Sequence, residues 1–142
     1  MSFREKSAWV TLITLIVLSL AFALHLPRPW TLHPEPSGFM FHVLLIAIGT
    51  FIAIEVIAHI AIAVWSPRDA NSPKDEREIL IELKSTRVAA FVYAFLSLGS
   101  VSFGLHIASA NAIGIAYLIL ISFVAAEIIN YAMRVFYYRR GS

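Results

Sequence analysis

The chain contains no cysteine. Disulfides, thiolate metal sites, iron–sulfur clusters and c-type haem attachment are therefore excluded, and no redox-compartment signal remains. Charge is scarce as well: 14% of the 142 residues are charged, against about 25% in an ordinary soluble domain. No serine sits in a G-x-S-x-G elbow, and there is neither a Walker loop nor a G-x-G-x-x-G turn. Nucleophile-elbow, P-loop and dinucleotide chemistry thus have no anchor, and nothing in the motifs marks an enzyme. No nucleic-acid motif is present either.

What the chain has in quantity is apolar surface, with 59% hydrophobic residues. Four stretches, residues 8–26, 39–65, 88–107 and 112–137, each approach or exceed the roughly 20 residues that cross about 30 Å of hydrocarbon. This predicts an all-α membrane protein, a single domain of four transmembrane helices over residues 1–142 with the lipid bilayer as its first partner. The second and fourth stretches are long enough to tilt or protrude.

Orientation follows from the basic residues. Arg4, Lys6, Arg68, Lys74, Arg77, Lys84, Arg87, Arg134, Arg139 and Arg140 lie at the amino terminus, in the 66–87 connection or toward the carboxyl end, and only Arg28 lies on the other side. The positive-inside rule then puts both termini and residues 66–87 in the cytoplasm, in a cytoplasmic (inner) membrane, with 27–38 and 108–111 outside. Basic residues placed this way attract anionic headgroups and need no nucleic acid to explain them. Arg4 and Lys6 ahead of the first apolar run, with Ala21-Phe22-Ala23 near its end, resemble a signal peptide. The first stretch is nonetheless read as a retained span, because it has an internal counterpart.

That counterpart belongs to a repeat. Phe51-Ile-Ala-Ile-Glu55-Val-Ile matches Phe123-Val-Ala-Ala-Glu127-Ile-Ile, and Lys-Ser at 6–7 matches Lys-Ser at 84–85. Leu-Ser-Leu recurs at 18–20 and 96–98, and Phe-x-Leu-His at 22–25 and 103–106. The chain reads as a tandem duplication of a two-helix hairpin, its copies related by an axis along the membrane normal.

The connection 66–87 opens with Ser66-Pro67-Arg68-Asp69 and Ser72-Pro73-Lys74-Asp75, two helix-start signals. From Pro73 onward a helix is expected to run into the third span, with Lys74 and Glu78 four apart and Ile79, Leu80 and Leu83 on one side. That side would rest on bilayer or bundle, or recruit a cytoplasmic protein partner. The stretch Asp75-Glu76-Arg77-Glu78 leading into a span resembles the cytoplasmic D-E-R-[DE] loop of small uncharacterised prokaryotic multi-span membrane proteins, a domain of unknown function. The resemblance implies a multi-span fold and brings no catalytic residues. The outer loop 27–38 carries Trp30 and four of the six prolines, and reads as a stiff irregular cap.

Glu55 and Glu127 are the residues on which a function would rest. Glu55 lies sixteen residues after Phe39 and Glu127 fifteen after Ala112, so at 1.5 Å per residue they reach about the same depth. Lipid exposure of a carboxylate there costs about 2.5–3.5 kcal/mol, which turns both toward the bundle interior. Facing each other, they would hold a proton or a cation between them. Helical spacing adds His59 after Glu55, and Asn130, Tyr131 and Arg134 after Glu127, as a polar stripe. Two readings stay open. One is a sensor or transporter-like ligand, cation or proton site reaching the cytoplasm. In the other, Glu127 pairs with Asn130 or Tyr131 and Glu55 with His59, purely to associate helices, while Arg134 snorkels to headgroups.

A second set, His25, His42 and His106, has depths compatible with imidazoles converging on Zn, Cu or haem iron at the outer face. His33 lies in the loop beside them. Ala90, Ser97, Ser100 and Gly104, and Gly49 with Ala53, are small residues suited to close helix approach. Four spans give a modest interior, which a homodimer would enlarge.

Overall fold

The computed structural model describes residues 2–25, 37–65, 67, 73–107 and 112–140. It is all-helical: α1 Phe3–His25, α2 Ser37–Trp65, α3 Glu76–Ile107 and α4 Ala112–Arg140. Each helix is long and apolar enough to cross a membrane. The loop segments 26–36 and 108–111, including the expected Pro-rich cap and His33, lie outside the described residues.

Two helix starts are each held by one of the two side-chain bonds of a capping box. Ser2 accepts the first bond of α1 from Lys6 N–H at 3.1 Å, and its hydroxyl takes Glu5 N–H at 3.2 Å. At α3 the capping residue is Asp75, whose carbonyl accepts from Ile79 N–H at 3.1 Å while Glu78 reaches back to Asp75 N–H at 3.3 Å. This corrects the expectation that Pro73 opens the helix. A start at Asp75 lets an acid at the third helical position reach back to the cap N–H, and Pro73, which has no N–H, stays outside. The expected continuity with the third span holds, since α3 runs 32 residues without a break. At 1.5 Å per residue that is about 48 Å, well beyond the hydrocarbon thickness.

The helices pack in the order α2, α1, α4, α3. Among the described residues, α2 touches only α1, and α3 touches only α4 through their backbones. A twofold axis exchanging the hairpins would carry the α1–α4 contact onto an α3–α2 contact, and none is present among the described residues. The innermost cluster is Ala8, Leu12 and Val135, with Trp9, Ile128 and Tyr131 against it. Between α3 and α4 the buried residues are small: Ser85, Ala89, Ser122 and Ala126. Ser100 and Ser122 join hydroxyls at 2.7 Å, and Gly104 lies so close to α4 that an added Cβ would sit 2.7 Å from Ile115 Cγ1. Lipid supplies no hydrophobic drive between helices, so backbone proximity and hydroxyl bonds take its place. Large aliphatics such as Val17, Leu20, Ile57 and Leu98 point outward.

The small residues of α2 behave differently from expectation. Gly49 and Ala53 are exposed, and nothing lies within 4 Å of a Cβ built on Gly49. The face of α2 that meets α1 is instead Glu55, His59 and Ile62. Polar partners on α1 select that face, and small size alone does not. Ala90 of α3 is likewise exposed, whereas Ser100 and Gly104 do pack.

Candidate functional site: two polar chains and a cleft

Glu55 and Glu127 are both turned inward, and each acquires its own partners. Glu55 is 15% exposed at the side chain. Thr11 of α1, itself buried, donates its hydroxyl to Glu55 Oε2 at 2.7 Å. Glu55 Oε1 is buried with no hydrogen-bond partner. One turn along α2, His59 Nδ1 lies 2.7 Å from the Glu55 carbonyl and 3.4 Å from Oε2. Both neighbours are acceptors, so Nδ1 carries the proton. The other nitrogen, Nε2, is in hydrogen-bond contact with Ser7 Oγ of α1. In the neutral imidazole it accepts from Ser7, and in the imidazolium it donates to Ser7.

Glu127 belongs to a different chain of contacts. Asn130 donates its amide to Glu127 Oε2 at 3.2 Å, and Arg134 Nε donates to Asn130 Oδ1 at 3.3 Å. The Arg134 guanidinium lies 4.9 Å from the centre of the Tyr131 ring and 3.5 Å from Glu82 Oε1. No hydrogen bond joins Glu55 to Glu127 among the described residues. Tyr131 lies near both acids, and it packs on the Ala8–Leu12–Val135 cluster.

The asymmetry has a cause in the residues beside each acid. Where the sequence matches described above would align Thr11 with Ala89 and His59 with Tyr131, the residue types differ. The second acid therefore lacks both the hydroxyl donor and the imidazole that hold the first, and it turns to its own helix for Asn130.

Both chains end at one cleft. At the end of the bundle that carries Ser2 and Arg140, a cavity of about 250 Å³ opens among α1, α3 and α4. Its lining includes Ser7, Tyr131 and Arg134, together with Arg4, Glu78 and Glu82. Arg4 bridges to Glu78 across the gap. Lys74 bonds Glu82 Oε2 at 2.6 Å. The expected Lys74–Glu78 pair is thus not formed: Lys74 precedes the helix, and Glu78 is occupied by Arg4 and the capping box. Glu82 lies outside the charge-free stretch 88–107. The Lys74 bond holds its carboxyl below the usual range, opposed by partial burial and aided by Arg134 and Arg4.

Inspection of acids and histidines alone overlooks Arg4, Ser7 and Thr11 on α1 and Glu78 and Glu82 on α3. A signal was present, since 4, 7 and 11, and 78, 82 and 85, follow steps of three and four. The histidine set is less connected. His42 and His106 are exposed, on two helices whose backbones do not meet among the described residues, and the side chain of His25 lies outside the described residues. Among the described residues, no group of three or more His, Asp or Glu could hold a metal ion. Ile79, Leu80 and Leu83 are exposed on α3, while Ile81 and Ser85 form its buried side.

Comparison of the chain with protein-family models, with curated proteins and with solved structures finds no match.

Proposed function

We propose that this is a proton-responsive integral membrane protein, transporter-like or sensor-like, with Glu55 as its proton site. His59 and Ser7 form the path between that site and the cleft. The observation that carries this reading is the half-satisfied carboxylate: Oε2 is held by Thr11, while Oε1 is buried with no partner. An unpaired buried carboxylate oxygen is costly, and binding a proton relieves the charge without needing a cavity. A hydrated cation has no such room at an oxygen sealed from solvent. The Glu127–Asn130–Arg134 chain is the second polar route to the same cleft and tunes its field. In this reading the cleft faces the cytoplasm, both termini are cytoplasmic and the membrane is the inner one, as the basic residues favour. The hairpins descend from a duplication whose second copy lost the Thr11 and His59 equivalents.

The test uses wild-type protein and Glu55→Gln, each reconstituted in liposomes containing a pH-sensitive dye and driven by a potassium diffusion potential. In parallel, infrared difference spectra are recorded between samples at about pH 5 and about pH 8. A carboxyl band present in wild type and missing in Glu55→Gln is expected, as is proton flux if the protein conducts. A wild-type spectrum in which Glu55→Gln removes nothing would return the residue to a helix-joining role.

A further inference from the structure

α1 and α3 both pack on α4, yet their backbones do not meet. The gap between them is the cleft. Its floor is Tyr131, Arg134 and Tyr138 of α4. Three cations line it, Arg4, Lys74 and Arg134, against two carboxylates, Glu78 and Glu82. Arg4 takes Glu78, so Lys74 and Arg134 divide the single carboxylate of Glu82, at 2.6 and 3.5 Å. Within this lining cations outnumber carboxylates by one, beside the hydroxyls of Ser7, Tyr131 and Tyr138, while Glu5, Asp75 and Arg77 line the adjoining cavity that shares Glu78 and Tyr138.

The height of the cleft in the membrane narrows the ligand. The charge-free stretch of α3 begins at Val88, six residues beyond Glu82. At 1.5 Å per residue Glu82 lies about 9 Å below the hydrocarbon edge. Headgroups occupy roughly the first 5–8 Å on each side of the hydrocarbon, so Glu82 stands just past their aqueous edge, within reach of headgroup phosphates and of phosphate in solution. Phe3, Ala8 and Ile81 give the walls an apolar component, which suits the first carbons of a phospholipid acyl chain.

We infer that the cleft binds a phosphate group, bridged by Lys74 and Arg134 in competition with Glu82. The phosphate is carried either by an anionic phospholipid or by a free phosphate in the aqueous phase. Guanidinium and ammonium donors in a partly enclosed site make charge-assisted bonds to phosphate oxygens, with hydroxyls completing the shell.

The experiment titrates protein in neutral detergent micelles with phosphatidylglycerol, phosphatidylcholine or inorganic phosphate, reading bound species by native mass spectrometry. One saturable phosphatidylglycerol per chain, insensitive to millimolar phosphate, identifies the lipid as the source. Saturable phosphate that displaces the lipid identifies the free anion. In either case Arg134→Gln weakens binding about tenfold or more, and Glu82→Gln, which releases both cations, tightens it by a similar factor. Should Arg134→Gln fail to fold, Lys74→Gln, outside any helix, replaces it. The inference is overturned if no ligand saturates, if phosphatidylcholine binds as well as phosphatidylglycerol, or if the variants match wild type. The readout is bound mass and not proton uptake, so this inference stands or falls separately from the proton site.

Discussion

Removing the hydroxyl that holds Glu55 is the most direct probe of the site. Thr11→Val keeps the side-chain shape and deletes the donor 2.7 Å from Oε2. Interhelical hydrogen bonds in membranes average about 0.6 kcal/mol with a maximum near 1.7, because the unfolded chain in lipid also finds partners. Bonds to charged groups in water-soluble proteins reach about 1.5–3 kcal/mol. Thr11 is only 3% exposed, its acceptor is a carboxylate, and the other carboxylate oxygen is already unpartnered. These features place the loss at the upper end of the membrane range, about 1–1.7 kcal/mol. The background controls the sign. In Glu55→Leu the acceptor is gone, so adding Thr11→Val costs nothing and can recover stability by removing an orphaned hydroxyl. A double-mutant cycle, read by reversible unfolding in mixed micelles, is expected to return a coupling of about 1–2 kcal/mol. Equal costs for Thr11→Val in the two backgrounds would refute the Thr11–Glu55 bond and with it the account of how α2 docks.

Other expectations concern packing and charge. Gly104→Ala is expected to destabilise by about 1–3 kcal/mol, since its Cβ would meet β-branched Ile115 at 2.7 Å, and Ile115→Ala is expected to restore the loss. Gly99→Ala, with open space around it, should be neutral or stabilising by up to about 1 kcal/mol in the same unfolding assay. Ser85 is fully buried, and among the described residues its hydroxyl bonds to carbonyls of its own helix, those of Ile81 and Glu82. Ser85→Ala therefore costs under about 1 kcal/mol and Ser85→Leu costs more, through overpacking against α4. For Glu82 the folded carboxyl is shifted below 4.5. Its contribution is present above that value and is lost as pH falls through the lowered one. Unfolding midpoints recorded from about pH 7 down to about pH 3 should show this acid loss in wild type, and less of it in Glu82→Gln.

Architecture was legible in the sequence for a simple reason. Crossing hydrocarbon requires about 20 apolar residues in a helix, and a run of that length leaves its mark on composition whatever surrounds it. Four such runs gave four helices. The inward turn of Glu55 and Glu127 was legible on the same ground, since lipid penalises either acid. The His59 and Asn130 contacts followed from i+4 and i+3 spacing within one helix.

What happens between helices was not legible. Several details depended on which faces met: that Thr11 serves Glu55, that Ser7 meets His59, that Arg4 crosses to Glu78, and that Lys74 bypasses Glu78 for Glu82. Periodicity gives each helix its own polar stripe but not the rotation or the neighbour that stripe will find. Only the packing order α2, α1, α4, α3 separates the two acids into different chains and opens the cleft between α1 and α3. In lipid the choice of neighbour is decided by a few hydroxyls, small residues and charges, because the surrounding aliphatic surface is nearly indifferent to it.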